Sequence, residues 1–326
     1  IIDPVNGALL GSADMPDGKE TYMSPLVYDF FRDGKLDVIF GTGGETINGS
    51  LFRAPLSDVM RGDLSNATTI IQTATKGFIA PPSLADLTGD NIPELITNTY
   101  EGHIIATDGW TNEVLWDYTV EGAETNASPA IGLFNGDNVP DVFTSFLIGV
   151  APTYSGAVQL MIDGATGEKV YENDLGFLQY SSPVVYDLNS DGVHEAISMI
   201  NNVGDTFSHD IIAFDFANGT ETSLLDEAVG GTNIASTPWI GNLDNDGVLD
   251  MFYAHHADET VFISDQSITF KRISLGVTDT NHVAWGGYMG TDGDGFFDNE
   301  QDSCFQTLWV PTTYAISPTC KGGDDG

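Results

Sequence analysis

Residues 182–197 read Ser182-Pro183-Val184-Val185-Tyr186-Asp187-Leu188-Asn189-Ser190-Asp191-Gly192-Val193-His194-Glu195-Ala196-Ile197. A short apolar run ends at Asp187, and Glu195 opens a second one. Between them stand Asn189, Ser190, Asp191 and Gly192. β-Branched and aromatic residues flanking an Asn/Asp/Gly segment read as strand, tight loop, strand.

The stretch recurs at 29–37, 86–94, 133–141 and 242–250, and more loosely at 290–298. Spacings between first positions are 57, 47, 54, 55 and 48 residues. A period near fifty with four short strands per unit is the pattern of a propeller blade. Between the copies lie Gly- or Asn-turned hairpins, as in Ile105-Ala106-Thr107-Asp108-Gly109, Met161-Ile162-Asp163-Gly164 and Ala213-Phe214-Asp215-Phe216-Ala217-Asn218-Gly219. The start, Ile1-Ile2-Asp3-Pro4-Val5-Asn6-Gly7, matches such a hairpin with no acidic loop before it, and no hairpin follows 290–298.

Joining the two gives the expected fold: an all-β propeller of six four-stranded blades over residues 1–298, closed by the N-terminal hairpin. A seventh blade built from 305–317 is the alternative. Closure removes exposed strand edges. Residues 299–326 read as a closing strand or tail ending in the linker-like Lys321-Gly322-Gly323-Asp324-Asp325-Gly326. With no initiating Met, the chain reads as a piece of a longer one.

Composition narrows the function. The 326 residues hold 48 Asp+Glu against 10 Lys+Arg, a net charge of −38. Ten scattered cations do not make a phosphate-binding surface, so nucleic acid is excluded as a partner, as are anionic membranes. No apolar run approaches the ~20 residues that span a bilayer, so no membrane insertion is expected. A hydrophobic content of 41% with 10% aromatics is not that of a disordered chain. The acidic surface suits solubility in a saline medium; the sharper reading is a surface for cationic or calcium-bridged partners.

The shared loop is D-x-[DNT]-x-D-[GN]-x-x-[DE]. Oxygen side chains fall at positions 1, 3, 5 and 9, a Gly or Asn at position 6 permits the turn, and position 7 offers a carbonyl. Calcium takes 6–8 oxygen ligands, and such a loop supplies most of them. An EF-hand would need an acid at position 12 and flanking helices; position 12 is Phe40, Thr97, Thr144, Ser198, Tyr253 and Gln301, so that reading fails. Asp/Asn-rich turns form for backbone reasons alone. However, two or three acids within each nine-residue stretch repel one another without a cation.

These loops between two strands resemble the FG-GAP/VCBS repeats of integrin-α-like propellers and many secreted proteins, over roughly residues 1–298. The resemblance implies calcium ions, three to six of them, and the following ligands. The first loop offers Asp29, Asp33, Asp37 and the Lys35 carbonyl, with Phe31 breaking position 3. The second offers Asp86, Thr88, Asp90, Glu94 and the Ile92 carbonyl. The third offers Asn135, Asp137, Asp141 and the Val139 carbonyl, with Leu133 breaking position 1. The fourth is complete, with Asp187, Asn189, Asp191, Glu195 and the Val193 carbonyl. So is the fifth, with Asn242, Asp244, Asp246, Asp250 and the Val248 carbonyl. The sixth offers Asp292, Asp294, Asp298 and the Phe296 carbonyl, with Gly290 at position 1. Completeness ranks the fourth and fifth tightest, and the first, third and sixth weakest.

The only cysteines, Cys304 and Cys320, would close a short loop as a disulfide; two free thiols or outside partners are the alternatives. Sequons at Asn48, Asn66, Asn126 and Asn218 accept glycans only on a eukaryotic secretory path. With loops that need extracellular calcium levels, these place the protein outside the cell or on its surface.

A catalytic reading finds little. There is no GxSxG, P-loop or HExxH. His255-His256 with Asp258 reads as a partly exposed turn pair rather than a metal site. Trp110, Trp116, Trp239, Trp285 and Trp309 read as packing between blades rather than a sugar platform. The expected function is therefore a non-catalytic, calcium-stabilised extracellular propeller for adhesion or assembly, binding protein or glycan. The alternatives are a subunit of a surface filament, binding copies of itself, and a calcium-dependent polysaccharide lyase.

Overall fold

The computed structural model describes residues 1–263, 267–278 and 283–297. Its strands form five antiparallel sheets taken in chain order. Sheet one is β1 (Leu26–Tyr28), β2 (Asp37–Gly41), β3 (Ser50–Pro55) and β4 (Thr68–Gln72), with helix α1 (Leu56–Arg61) inserted before β4. Sheet two is β5 (Ser83–Ala85), β6 (Glu94–Asn98), β7 (His103–Thr107) and β8 (Val114–Thr119). Sheet three has the short β9 (Ala123–Glu124) beside the order β10 (Ala130–Gly132), β11 (Asp141–Val150), β12 (Thr153–Ile162), β13 (Lys169–Asn173). Sheet four is β14 (Val184–Tyr186), β15 (Glu195–Val203), β16 (Phe207–Asp215) and β17 (Thr220–Ser223), with β18 (Val229–Gly230) on β16. Sheet five is β19 (Trp239–Gly241), β20 (Val248–His256) and β21 (Ile268–Thr278).

Each sheet is a meander whose spatial order is its chain order, the arrangement of propeller blades. Burial grades across it. The first strands β5, β10 and β14 are buried at every residue, because sheets pack on both of their faces, whereas β17 is exposed throughout. The cores lie between sheets. Leu26, Ile39 and Phe78 pack with Leu84 and Leu95 between sheets one and two. Phe134, Phe143 and Phe146 pack with Ile96 and Phe214 across sheets two to four. Ile197, Met199 and Ile211 pack with Ile240 and Met251 between sheets four and five.

Among the described residues, the sixth motif copy belongs to none of the five sheets. Residues 284–297 bond instead to the middle residues of three first strands. Leu84 bridges Phe296 in parallel, and the Leu84 N–H donates to Gly295 O at 2.7 Å. Val185 bridges Trp285, and the Ile240 N–H donates to Gly286 O at 2.8 Å. Trp285 is among the largest fully buried side chains. The segment thus ties sheets two, four and five together as a central strap. The N-terminal hairpin does form, with an Ile2–Leu9 bridge, but it belongs to none of the five sheets. It lies against α1, where Gly11 approaches the Met60 backbone so closely that a Cβ would sit 2.7 Å from Met60 Cα. No described helix is long and apolar enough to cross a membrane.

Candidate metal sites in the acidic loops

In every sheet the acidic loop joins the first strand to the second, and position 9 pairs with the last residue of the first strand. The pairs are Tyr28–Asp37, Ala85–Glu94, Gly132–Asp141, Tyr186–Glu195 and Gly241–Asp250. That register pulls the position-9 acid of each loop inside. Asp37, Glu94, Asp141, Glu195 and Asp250 are 7%, 0%, 0%, 4% and 1% exposed. Four of them accept the position-2 backbone N–H: Leu87 to Glu94 and Leu188 to Glu195, both at 2.6 Å, and Phe134 to Asp141 and Leu243 to Asp250, both at 3.1 Å.

The loop backbone is the same in all six copies. The position-5 acid accepts the position-7 N–H at 2.8–3.0 Å: Asp33, Asp90, Asp137, Asp191, Asp246 and Asp294. Position 6 has positive φ in Gly34, Asn91, Asn138, Gly192, Gly247 and Gly295. Position 4 does too, a feature sequence reading missed: Arg32, Gly89, Gly136, Ser190, Asn245 and Gly293. The position-1 acids Asp29, Asp86 and Asp187 accept N–H groups three to five residues on. The loop acids are thus turned onto their own amides. Among the described residues, no three His, Cys, Asp or Glu side chains stand grouped to hold a metal.

The electrostatics differ between loops. Burial pushes the carboxyls of Glu94, Asp141 and Glu195 up to about 7, and neighbouring acids push the same way. Those neighbours include Asp108 for Glu94, Asp163 for Asp141 and Asp215 for Glu195. Asp108 and Asp163 lie in the turns between third and fourth strands, and Asp215 ends the third strand β16. Close approach fixes two of the turns: a Cβ on Gly109 would lie 2.0 Å from Pro93 O, and one on Gly164 1.8 Å from Pro140 O. Burial also raises Asp37, but Arg53 draws it back. Arg53 is itself buried, donates to Gly109 O at 2.6 Å and lies over the rings of Phe30 and Phe31. In the fifth loop Arg272 donates from Nε to Asp250 Oδ1 at 2.8 Å and from Nη2 to Asp244 Oδ2 at 2.5 Å.

A cation fits the second loop on one direct observation. Glu94 Oε1 is buried without a hydrogen-bond partner, within a loop that also carries Asp86, Thr88 and Asp90. A buried charged oxygen without a partner is costly. The first loop fits less well, since Phe31 at position 3 packs edge-on against Trp110 at 5.0 Å. In the sixth, Asp292 is exposed and Asp298 lies outside the described residues. Cys304, Cys320 and Trp309 lie outside them as well. Of the sequons, Asn66 and Asn218 are exposed, while Asn48 and Asn126 are half-buried. Asn48 holds Lys19 Nζ at 3.0 Å, and Asn218 donates to Asp215 at 2.8 Å.

The histidine pair differs from expectation. His255 and His256 end β20 and are buried rather than partly exposed. His256 Nε2 lies 2.7 Å from both Thr232 Oγ1 and Phe262 O, and the His255 ring is 4.6 Å from that of His209. Asp258 turns away, to Thr260. Trp116 and Trp285 pack inside as expected, whereas Trp110 and Trp239 are exposed, 57% and 39%, rather than packed between blades.

No protein-family model matches the chain, and no curated protein does. Solved structures do. BamB from Moraxella catarrhalis is 14% identical over 74% of this chain and 63% of its own, with a TM-score of 0.36. The chain therefore spans less than two thirds of that structure's length. The catalytic domain of a Coprinopsis cinerea GH62 α-L-arabinofuranosidase is 11% identical over 82% of this chain and 93% of its own, at 0.39. A neuraminidase-like protein of subtype N11 from A/flat-faced bat/Peru/033/2010 is 12% identical over 80% and 76%, at 0.38.

Proposed function

We propose that this chain is a calcium-stabilised propeller module that acts outside the cell in adhesion or assembly, binding protein or glycan without catalysis. The observation that carries the calcium reading is the buried, unpartnered Glu94 Oε1 in an acidic loop. A bound ion would offset the repulsion among the loop acids and tie the first strand of a sheet to the second. The ligands would be the position-1, -3, -5 and -9 oxygens and the position-7 carbonyl. Calorimetric titration of calcium, with melting in calcium and in chelator, tests this. Saturable binding and a large loss of melting temperature on chelation are expected; no binding and an unchanged melt overturn it.

A second reading, self-assembly into a filament, is favoured by β21. Its eleven residues pair with β20 on one side and with no other strand among the described residues, and an open edge is a template for another chain. Sedimentation of the purified chain across concentrations tests it, a constant monomer mass being the adverse result.

A further inference from the structure

The five sheets solve one electrostatic problem in two ways. Position 9 of the loop is a buried acid in all five. What faces it from the third strand differs. In sheets two, three and four the residue one step beyond the pairs Leu95–Thr107, Val142–Ile162 and Ala196–Phe214 is an acid: Asp108 opposite Glu94, Asp163 opposite Asp141, Asp215 opposite Glu195. Like charges directly opposed across a ladder are destabilising. In sheets one and five the residues paired with Asp37 and Asp250 are Pro55 and Ser274.

A second position switches with the first. Two residues along the second strand, Ile39 pairs with Arg53 and Phe252 with Arg272. The corresponding partners in the other sheets are Ala106, Met161 and Ala213. Arginine therefore stands wherever the opposed acid is missing, and an uncharged side chain stands wherever it is present.

We propose that sheets two, three and four each bind one divalent cation of the calcium class, with Asp108, Asp163 and Asp215 as ligands from outside the loops. In sheets one and five, Arg53 and Arg272 are built-in replacements for that ion. The inference rests on the calcium reading above and assigns its sites.

The contacts support the division. Among the described residues, Glu94 Oε1 is the one buried carboxylate oxygen without a partner, and position 3 of its loop is Thr88, which has no amide to offer it. In sheet three the Asn135 amide nitrogen stands among three carboxylates, donating to Asp141 at 3.1 Å and to Asp137 and Asp163 at 3.2 Å each. In sheet four the Asn189 amide does the same between Glu195 at 2.8 Å and Asp215 at 3.4 Å. These –NH₂ groups mark the point on which the acids converge, while the amide oxygens accept the Asp137 and Asp191 N–H groups at 2.9 Å each. In sheet five that role belongs to the Arg272 guanidinium, which bridges positions 3 and 9.

The test is calcium stoichiometry of the full chain by calorimetry, with each variant's fold checked by circular dichroism. Three ions per chain are expected. Asp108→Asn, Asp163→Asn and Asp215→Asn should each lose one, and Asp246→Asn in the fifth loop should lose none. Arg272→Met combined with Ser274→Asp should gain a fourth ion, because it frees Asp244 and Asp250 and restores an acid opposite Asp250. Arg53→Met should gain none, since Phe31 holds position 3. Five or six ions, or three that survive all three Asn substitutions, would overturn this assignment and leave the calcium reading standing. No binding at all would overturn the calcium reading itself.

Discussion

Lys76 Nζ is ion-paired with Glu124 Oε1, and the glutamate is 1% exposed. The lysine precedes sheet two and the glutamate lies in β9 of sheet three, so the pair joins neighbouring blades. Glu124 also accepts the Tyr154 hydroxyl at 2.5 Å and the Ala151 N–H at 3.0 Å. Burial works to raise its carboxyl, but these hydrogen bonds, with that from Lys76, outweigh it and hold the group below its usual range. Removing one partner of a buried pair leaves the other charge stranded, at a cost of about 3–5 kcal/mol. Lys76→Met should therefore lower stability by that order in urea unfolding, and the double variant with Glu124→Gln should recover much of the loss. A single variant as stable as the parent would show the pair to be dispensable.

His209 is completely buried, with Nδ1 3.0 Å from Gly231 O and Nε2 3.3 Å from the Tyr253 hydroxyl. Burial holds its pKa down to about 4, and His255, Lys271 and His256 push it the same way. The folded state thus resists a proton that the unfolded chain accepts near 6.5. Stability from this group is complete above pH 6.5 and is lost as pH falls towards 4. Unfolding free energy should decline across that window, and His209→Gln should flatten the decline. An identical slope in the variant would assign the effect to other groups.

Gly164 and Gly156 make a contrasted pair in sheet three. A Cβ at Gly164 would meet Pro140 O at 1.8 Å, whereas one at Gly156 finds only Gly176 O at 3.8 Å. Gly164→Ala should cost about 2 kcal/mol or more by backbone displacement, and Gly156→Ala less than about 1 kcal/mol. Equal melting temperatures for the two would refute the contact.

Trp285 anchors the central strap, 1% exposed against the sheet-four first strand. Truncation to Ala should cost about 3–5 kcal/mol through the cavity it leaves. Hydrogen exchange should show the Val185 and Ile240 amides losing protection together, since both donate to this segment. Loss at Val185 alone would mean that the strap is not cooperative.

Strand, loop and turn were legible because their causes are local. The position-6 Gly and Asn residues do adopt positive φ, and the position-9 acids open the second strands of sheets one to four. Position 4 escaped because Arg32 and Ser190 carry no compositional sign of a left-handed backbone. The sixth copy shows the converse. Its Asp294 accepts the Phe296 N–H as in every other loop, so the local motif is intact. Its described neighbours, however, bridge the first strands of other sheets, a long-range pairing that the motif does not encode. Arg272 escaped for the same reason: its place beside Asp250 is set by the register of β20 on β21, not by spacing along the chain. Ranking loops by their own oxygens could not register a counter-charge arriving from another strand.

The strap also imposes an order in time. Each blade's hairpins can form as soon as its residues leave the ribosome, since their contacts are short-range. The strap's bonds to Leu84 and Val185 span roughly 200 and 100 residues of chain and must wait until almost the whole described chain has been made. Nascent chains halted before residue 284 should therefore hold folded but unlocked blades, open to protease at their first strands, and resistance should rise in one step once residues 284–297 emerge.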